Sequence, residues 1–137
     1  MDPFALAWPL AARLAHELGD RAALDGVLAL LDGYYPGEIP LMVRAECRLA
    51  EARLVADPVE RVAGIEGAVT DLRAVGSPYH VALALLDLAE AQHDAGKDPS
   101  DVIAEAATIG TTLGSPQVVE RAESLRPRLP GDARTAP

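Results

Sequence analysis

Val75-Gly76-Ser77-Pro78 stands directly before a long apolar-periodic segment, residues 79–95. The same kind of turn returns 38 positions later as Leu113-Gly114-Ser115-Pro116. Gly37-Glu38-Ile39-Pro40 opens a similar segment 38 positions upstream, and Asp2-Pro3 opens another 37 before that. A second echo is independent of the turns: Leu49-Ala50-Glu51-Ala52 recurs as Leu88-Ala89-Glu90-Ala91, at an offset of 39. A period in the high thirties within helix-forming sequence marks stacked helical hairpins, because one hairpin cannot bury both of its faces and needs a neighbour.

Composition agrees. Half of the 137 residues are apolar, yet the bulk is small: 26 are Ala, with one Trp, one Phe and three Tyr. Ala is the best helix former because it loses no side-chain entropy, and small side chains let helices approach closely. No segment alternates with period two. The expectation is an all-α fold of about seven helices in stacked antiparallel hairpins. The hairpins fall at about 3–33, 40–75 and 78–113, followed by a capping helix at 116–126 and a disordered tail at 127–137.

The net charge of −9 argues against contact with phosphate backbones or anionic membrane surfaces, so neither nucleic acid nor membrane is an expected partner. Cys47 is the only cysteine, which excludes an internal disulfide. No apolar run reaches the ~18 residues needed to span a bilayer. Met1-Asp2-Pro3 lacks the basic region of a secretion signal, so the cytoplasm is the expected compartment. One Lys against eleven Arg, no Asn and abundant Ala are the bias of high-GC bacterial coding.

Helix ends and apolar faces can be placed along the chain. Asp2 is a candidate cap for the first helix, with Phe4, Ala7, Ala11, Leu14, Ala15 and Leu18 on its apolar face. Pro9 lacks a donor and predicts either a kink near Phe4 or a helix start at Pro9 itself. Gly19 closes that helix and Asp20 caps the second, which buries Leu24, Val27, Leu28 and Leu31 and ends at Asp32-Gly33. Pro40 begins the third, with Leu41, Ala45, Leu49, Ala52 and Val55 inward. Asp57 caps the fourth, whose stripe is Val62, Ile65, Val69 and Leu72. Gly64 and Gly67 inside it predict close approach of a neighbouring helix. Gly76 suits a left-handed helix end and Ser77 a cap. The fifth helix carries Val81, Leu85, Leu88 and Ala89, the sixth Val102, Ala106, Ile109 and Leu113, and the seventh Val118, Val119, Ala122 and Leu125.

Residues 40–75 and 78–113 resemble tetratricopeptide repeats lengthened slightly beyond 34 residues. Ala68 and Ala106 stand where that family places a small residue on the second helix, and Ala50 and Ala89 match its first-helix small position. The Trp and Tyr of the consensus are absent. A narrower resemblance rests on Ala7-Trp8-Pro9-Leu10, Glu17-Leu18-Gly19-Asp20, Leu30-Leu31-Asp32-Gly33-Tyr34 and residues 72–80, taken in that order. They are similar to the C-terminal helical region of large bacterial signalling proteins. There a class III nucleotide cyclase or a LuxR-type DNA-binding domain accompanies a STAND-type ATPase and a tetratricopeptide-like array. The resemblance implies a right-handed superhelix, a fragment of such a signalling protein, and a protein or peptide segment, or another domain of the same parent, as partner. The cyclase and ATPase motifs themselves are absent from this sequence.

No constellation for chemistry emerges. Cys47, between Glu46 and Arg48, has no His near it in sequence and reads as a small half-buried helix contact. His80 and His93 are 13 apart on one helix, too far to share an ion, and His93 with Asp94 or Asp98 lacks a third strong ligand. His16-Glu17 has no second His one turn on. Asp87 and Glu90 share a helical face, but acid–base work would need burial and a cleft to separate their pKa values. The expectation is therefore no catalytic residue, no metal and no cofactor.

The polar faces of the first helix of each hairpin are the candidate site. The offset of 39 aligns Arg48, Glu51 and Arg53 with Asp87, Glu90 and Gln92, and first helices line the concave groove of such arrays. Arg44 and Arg48 are one turn apart and can clamp a carboxylate. The candidate groove contacts are thus Arg44, Arg48, Glu51, Asp87 and Glu90, set against a plainer reading as a solvated face with internal pairs such as Arg44 with Glu51. Trp8, Tyr34 and Tyr35 are most of the aromatic content, and the Tyr pair reads as packing over a hairpin edge. Two further functions stay open: homodimerisation through the outward apolar face of the first helix, and a sensor holding a small molecule between hairpins.

Overall fold

The computed structural model describes residues 3–126, and its described part is all-α with seven helices. These are α1 (Pro3–Glu17), α2 (Arg21–Ala29), α3 (Leu41–Arg53), α4 (Pro58–Val75), α5 (Pro78–Asp94), α6 (Ser100–Leu113) and α7 (Pro116–Leu125). Short 3-10 turns at Leu30–Gly33 and Pro36–Glu38 fill the connection from α2 to α3. The Asp2 cap and the 127–137 tail lie outside the described residues.

Each helix boundary has a local cause. Asp20 accepts from the Ala23 amide at 3.0 Å and Asp57 from the Glu60 amide at 2.9 Å, capping α2 and α4. Gly76 and Gly114 take φ of +83° and +66° at the ends of α4 and α6, a conformation that penalises any Cβ. The following prolines then start α5 and α7. Ser77 departs from expectation. Its hydroxyl meets His80 Nδ1 at 2.7 Å instead of capping a backbone amide. Pro9 does not start a helix: α1 runs through it from Pro3, and Trp8 beside it donates Nε1–H to the Val27 carbonyl at 2.9 Å, tying α1 to α2.

Helices adjacent in sequence pack as neighbours except α2 and α3: α1 on α2, α3 on α4, α4 on α5, α5 on α6 and α6 on α7. Two contacts skip a helix, α1 with α3 and α5 with α7. The core divides into two clusters. Trp8, Ala12, Ala15, Leu24, Leu31, Val43 and Ala50 join the first hairpin to α3, and a larger cluster from Ala45 to Leu125 joins α3 through α7. The sequence places the α4 stripe and Val81, Leu85, Leu88 and Ala89 of α5 correctly, and all are buried. Two helices are rotated from expectation. α1 buries Trp8, Pro9, Ala12, Arg13 and Ala15 and leaves Leu14 and Leu18 exposed. α6 buries Ile103, Ala106 and Gly110, while Leu113 faces solvent.

Gly110 explains the second rotation. A Cβ there would lie 2.8 Å from Val118 Cγ1, so α6 turns its glycine toward α7 and the helices close to contact. Overpacking a stiff β-branched neighbour costs about 1–3 kcal/mol, more than the helix propensity that alanine gains. Gly110→Ala is therefore expected to lower stability by about 1 kcal/mol and Tm by about 4 °C, read by thermal denaturation.

Candidate functional site

Asp87 sits two and a half turns into α5, a helix buried on nearly every side, and its own side chain is 2% exposed. An isolated carboxylate in that position would cost several kcal/mol, so charge must come to it. It comes from three other helices. Oδ2 accepts from Arg13 Nη2 of α1 at 3.2 Å and from Arg53 Nη1 of α3 at 3.1 Å. Oδ1 accepts from Arg121 Nη2 of α7 at 2.8 Å. Arg121 also reaches Glu90 Oε1 at 3.4 Å, one turn along α5.

Burial pushes the Asp87 pKa up, but the guanidinium groups of Arg13, Arg53 and Arg121 outweigh it and hold the carboxyl at about 2. Glu46 of α3 lies in the same electrostatic neighbourhood with the opposite outcome. Burial raises its pKa despite Arg13 and Arg53, and its Oε1 has no hydrogen-bond partner. His16 is pushed down, by burial first and then by Arg53.

Next to the cluster lies a small cavity of about 100 Å³, lined by His16, Arg53, Arg61, Asp87, Glu90 and Asp94 among others. Arg61 stands at its edge, donating to the carbonyls of Val55 at 2.7 Å and Ala56 at 3.0 Å and lying 3.6 Å from Asp94. Arg61 thus closes the end of α3 and reaches α5. Glu90 and Asp94 carry the exposed carboxylates of this rim.

The five candidate groove residues do not form one surface. Asp87 and Glu90 belong to the arginine cluster. Arg48 turns toward α4 and pairs with Asp71, and Glu51 accepts from Cys47 Sγ at 3.1 Å. Arg44 is exposed and has no ion pair among the described residues; the Arg44–Glu51 pair does not form. Asp87 draws Arg53, a pairing that the offset of 39 does not address. A trace of the true pairing lay in the sequence: Arg53 and Arg121 each stand 34 positions from Asp87. Arg13, 74 positions away, left only its place in an otherwise apolar helix.

The remaining candidates separate in the same way. The Cys47 thiol is pushed up to about 12, by burial first and then by its bond to Glu51, which leaves almost no thiolate at neutral pH. His80 faces Ser77 with its pKa lowered by burial. Among the described residues no three His, Cys, Asp or Glu side chains gather as a metal cage, and no helix is long and apolar enough to cross a membrane. A second cleft of about 330 Å³ lies at the α4–α5 turn, and its one charged lining residue, Arg73, is paired with Glu105 at 2.7 Å. No family model, curated protein or solved structure matches the chain.

Two measurements follow from the cluster. Asp87→Asn leaves three buried or half-buried guanidinium groups without their counter-charge and is expected to cost about 3–5 kcal/mol in urea denaturation. Because the folded pKa of Asp87 lies below its unfolded value, its stabilisation is present above pH ~4 and lost as pH falls toward 2. Acid titration of stability is expected to remove about 2 kcal/mol over that window, and the Asn variant to lack this step. Native Cys47 is expected to react with iodoacetamide at pH 8 at least tenfold more slowly than the urea-unfolded chain, as counted by mass spectrometry.

Proposed function

We propose that the chain is a non-catalytic, tetratricopeptide-like protein–protein interaction module whose concave side receives a basic protein or peptide segment. The observation that carries this reading is how the polar residues of that side are used. The buried cations are held by Asp87, and on the rim beside them Glu90 and Asp94, paired with Arg121 and Arg61, keep side chains 40% and 57% exposed. The cavity between them, about 100 Å³, is well below the ~300 Å³ at which small-molecule sites begin. A side chain entering from a bound segment fits that space better than a substrate does. The chain's own net charge of −9 favours a basic partner in the same sense.

The motif order from Ala7-Trp8-Pro9-Leu10 to residues 72–80 supports placing the module in a larger bacterial signalling protein of the cytoplasm. There it would relay contact with another domain or protein to a cyclase, ATPase or DNA-binding unit elsewhere in the parent. The right-handed superhelix belongs to this same reading.

Fluorescence anisotropy against a panel of 12- to 15-residue basic peptides tests it. Bound peptides are expected to weaken about tenfold or more, ~1.4 kcal/mol, in the pair Glu90→Lys and Asp94→Lys. Binding that is unmoved by this pair and also by Arg44→Ala with Arg48→Ala would rule out the groove on both sides.

A further inference from the structure

Among the described residues three charged ones are buried: Arg13 on α1, Glu46 on α3 and Asp87 on α5. Arg13 and Asp87 bond to one another. Glu46 is 3% exposed, and its Oε1 accepts no hydrogen bond. Its place on α3 is a packing position. Val43, Glu46, Ala50 and Arg53 follow at spacings of three, four and three, which puts them on one helical face. Val43 and Ala50 of that face belong to one buried cluster with Trp8, Ala12 and Ala15 of α1. The offset of 39 sets Glu46 against Leu85 of α5, a core leucine. A carboxyl thus stands where the next repeat has an apolar side chain, and no hydrogen bond to Oε1 offsets its burial.

Glu46 occupies the junction that holds the first hairpin. The packing of α1 on α3 is the main helix pairing that joins α1 or α2 to the rest of the stack. The larger core cluster, from Ala45 to Leu125, contains no residue of either helix. Charged groups act on Glu46 from each element around it: Arg13 from α1, Arg53 from α3 itself and Asp87 from α5. His16 of α1, Glu90 of α5 and Arg121 of α7 complete the cluster. Arg13 Nη1 and Arg53 Nε are also buried without a partner, so neither bonds to Glu46. A neutral carboxyl tolerates such a place. A carboxylate loses its water there and gains no hydrogen bond. Desolvation then outweighs the attraction of two guanidinium groups that Asp87 already engages.

We infer that Glu46 is a proton-operated latch: with its proton the first hairpin stays docked on α3, and loss of that proton to solvent loosens the hairpin as a unit while α3 to α7 remain packed. The sign follows from the burial. The folded chain holds the Glu46 proton to higher pH than the unfolded chain, whose carboxyl titrates near 4.5. Docking is therefore fully present below pH 4.5 and weakens as the pH rises through the folded value. Two neighbours act in the opposite sense. Asp87 contributes its tie above its own low pKa of about 2 and loses it only in acid. His16 is kept neutral by burial and by Arg53, and its protonation opposes docking as the pH falls. The connection from α2 to α3, built of two short 3-10 turns, supplies the pivot. Opening of such a unit is a sub-global event that needs less free energy than unfolding the whole chain.

Amide hydrogen exchange on the full chain, from about pH 4.5 to about pH 7.5 and corrected for intrinsic rates, tests the latch. Helices of 15 and 9 residues without their neighbour are marginal in water, so undocking opens the amides of α1 and α2 to exchange. Their opening is expected to rise several-fold across this range, while that of α4 and α5 does not follow. Glu46→Gln keeps the shape and removes the charge, and should lack the rise. Glu46→Leu, which places the side chain of the equivalent Leu85, should lack it too. Glu120→Gln, exposed on α7, is the control and should keep it. The difference between the native chain and Glu46→Gln leaves out His16, which both carry. Superimposed native and Glu46→Gln profiles overturn the inference. So does a Glu46→Gln chain more open than the native one at neutral pH, or exchange that rises equally in all seven helices. No bound peptide enters these readouts, so they stand apart from the test of Glu90 and Asp94.

Discussion

The structure depends on one carboxylate. Asp87 is the point at which the first, second and third hairpins and the closing helix are joined by charge, through Arg13, Arg53 and Arg121. Apolar contacts in a helical array act mainly between neighbours. An ion cluster with a partner 74 positions away is a different kind of tie, since it holds the first hairpin to the third across the second. Geometry makes it specific: the two carboxylate oxygens divide three donors, and each guanidinium arrives from its own helix. The same cluster is costly to break, because removal of any member leaves a desolvated charge.

This tie has consequences for the charges around it. Arg13, Arg53 and Arg121 point at Asp87, and Arg61 closes the end of α3. The carboxylates beside them, Glu90 and Asp94, stay part-exposed. Glu46 shows the cost of the arrangement. Its carboxyl is buried with one oxygen unpaired, and desolvation raises its pKa even beside two arginines. Two carboxylates in one neighbourhood are thus driven in opposite directions. The one with direct hydrogen bonds is held ionised, and the one without them is pushed toward its neutral form.

Small residues let the helices come close enough for this. Ala45, Ala52, Ala68, Ala82, Ala84, Ala89, Ala91, Ala106 and Ala122 are buried between helices, and Gly110 brings α6 against Val118. With aromatic bulk confined mainly to the first hairpin and its loop, the stack gains its density from backbone approach. α5 pays no penalty for being enclosed, because its buried surface is mostly Ala, Leu and Val around the single ionised Asp87.

The sequence by itself determined the helices and their order. Repeated Gly-Ser-Pro turns, Asp caps at 20 and 57 and prolines at first turns are local signals, and local hydrogen bonding obeys them whatever the tertiary context. The α4 stripe and most of α5 were legible for the same reason, since an interior helix reports its buried face by periodicity. Which face of α1 turns inward was decided only by the tertiary structure. An end helix rich in both Leu and Ala has apolar residues all round, so its rotation is set by Trp8 reaching Val27 and Arg13 reaching Asp87. α6 was rotated by Gly110 meeting α7, which no periodicity encodes. The pairing of Asp87 with Arg53, and of Arg48 with Asp71, likewise came from the packing. Side chains one turn apart look equivalent along a helix, and only the distance to the neighbouring helices tells them apart.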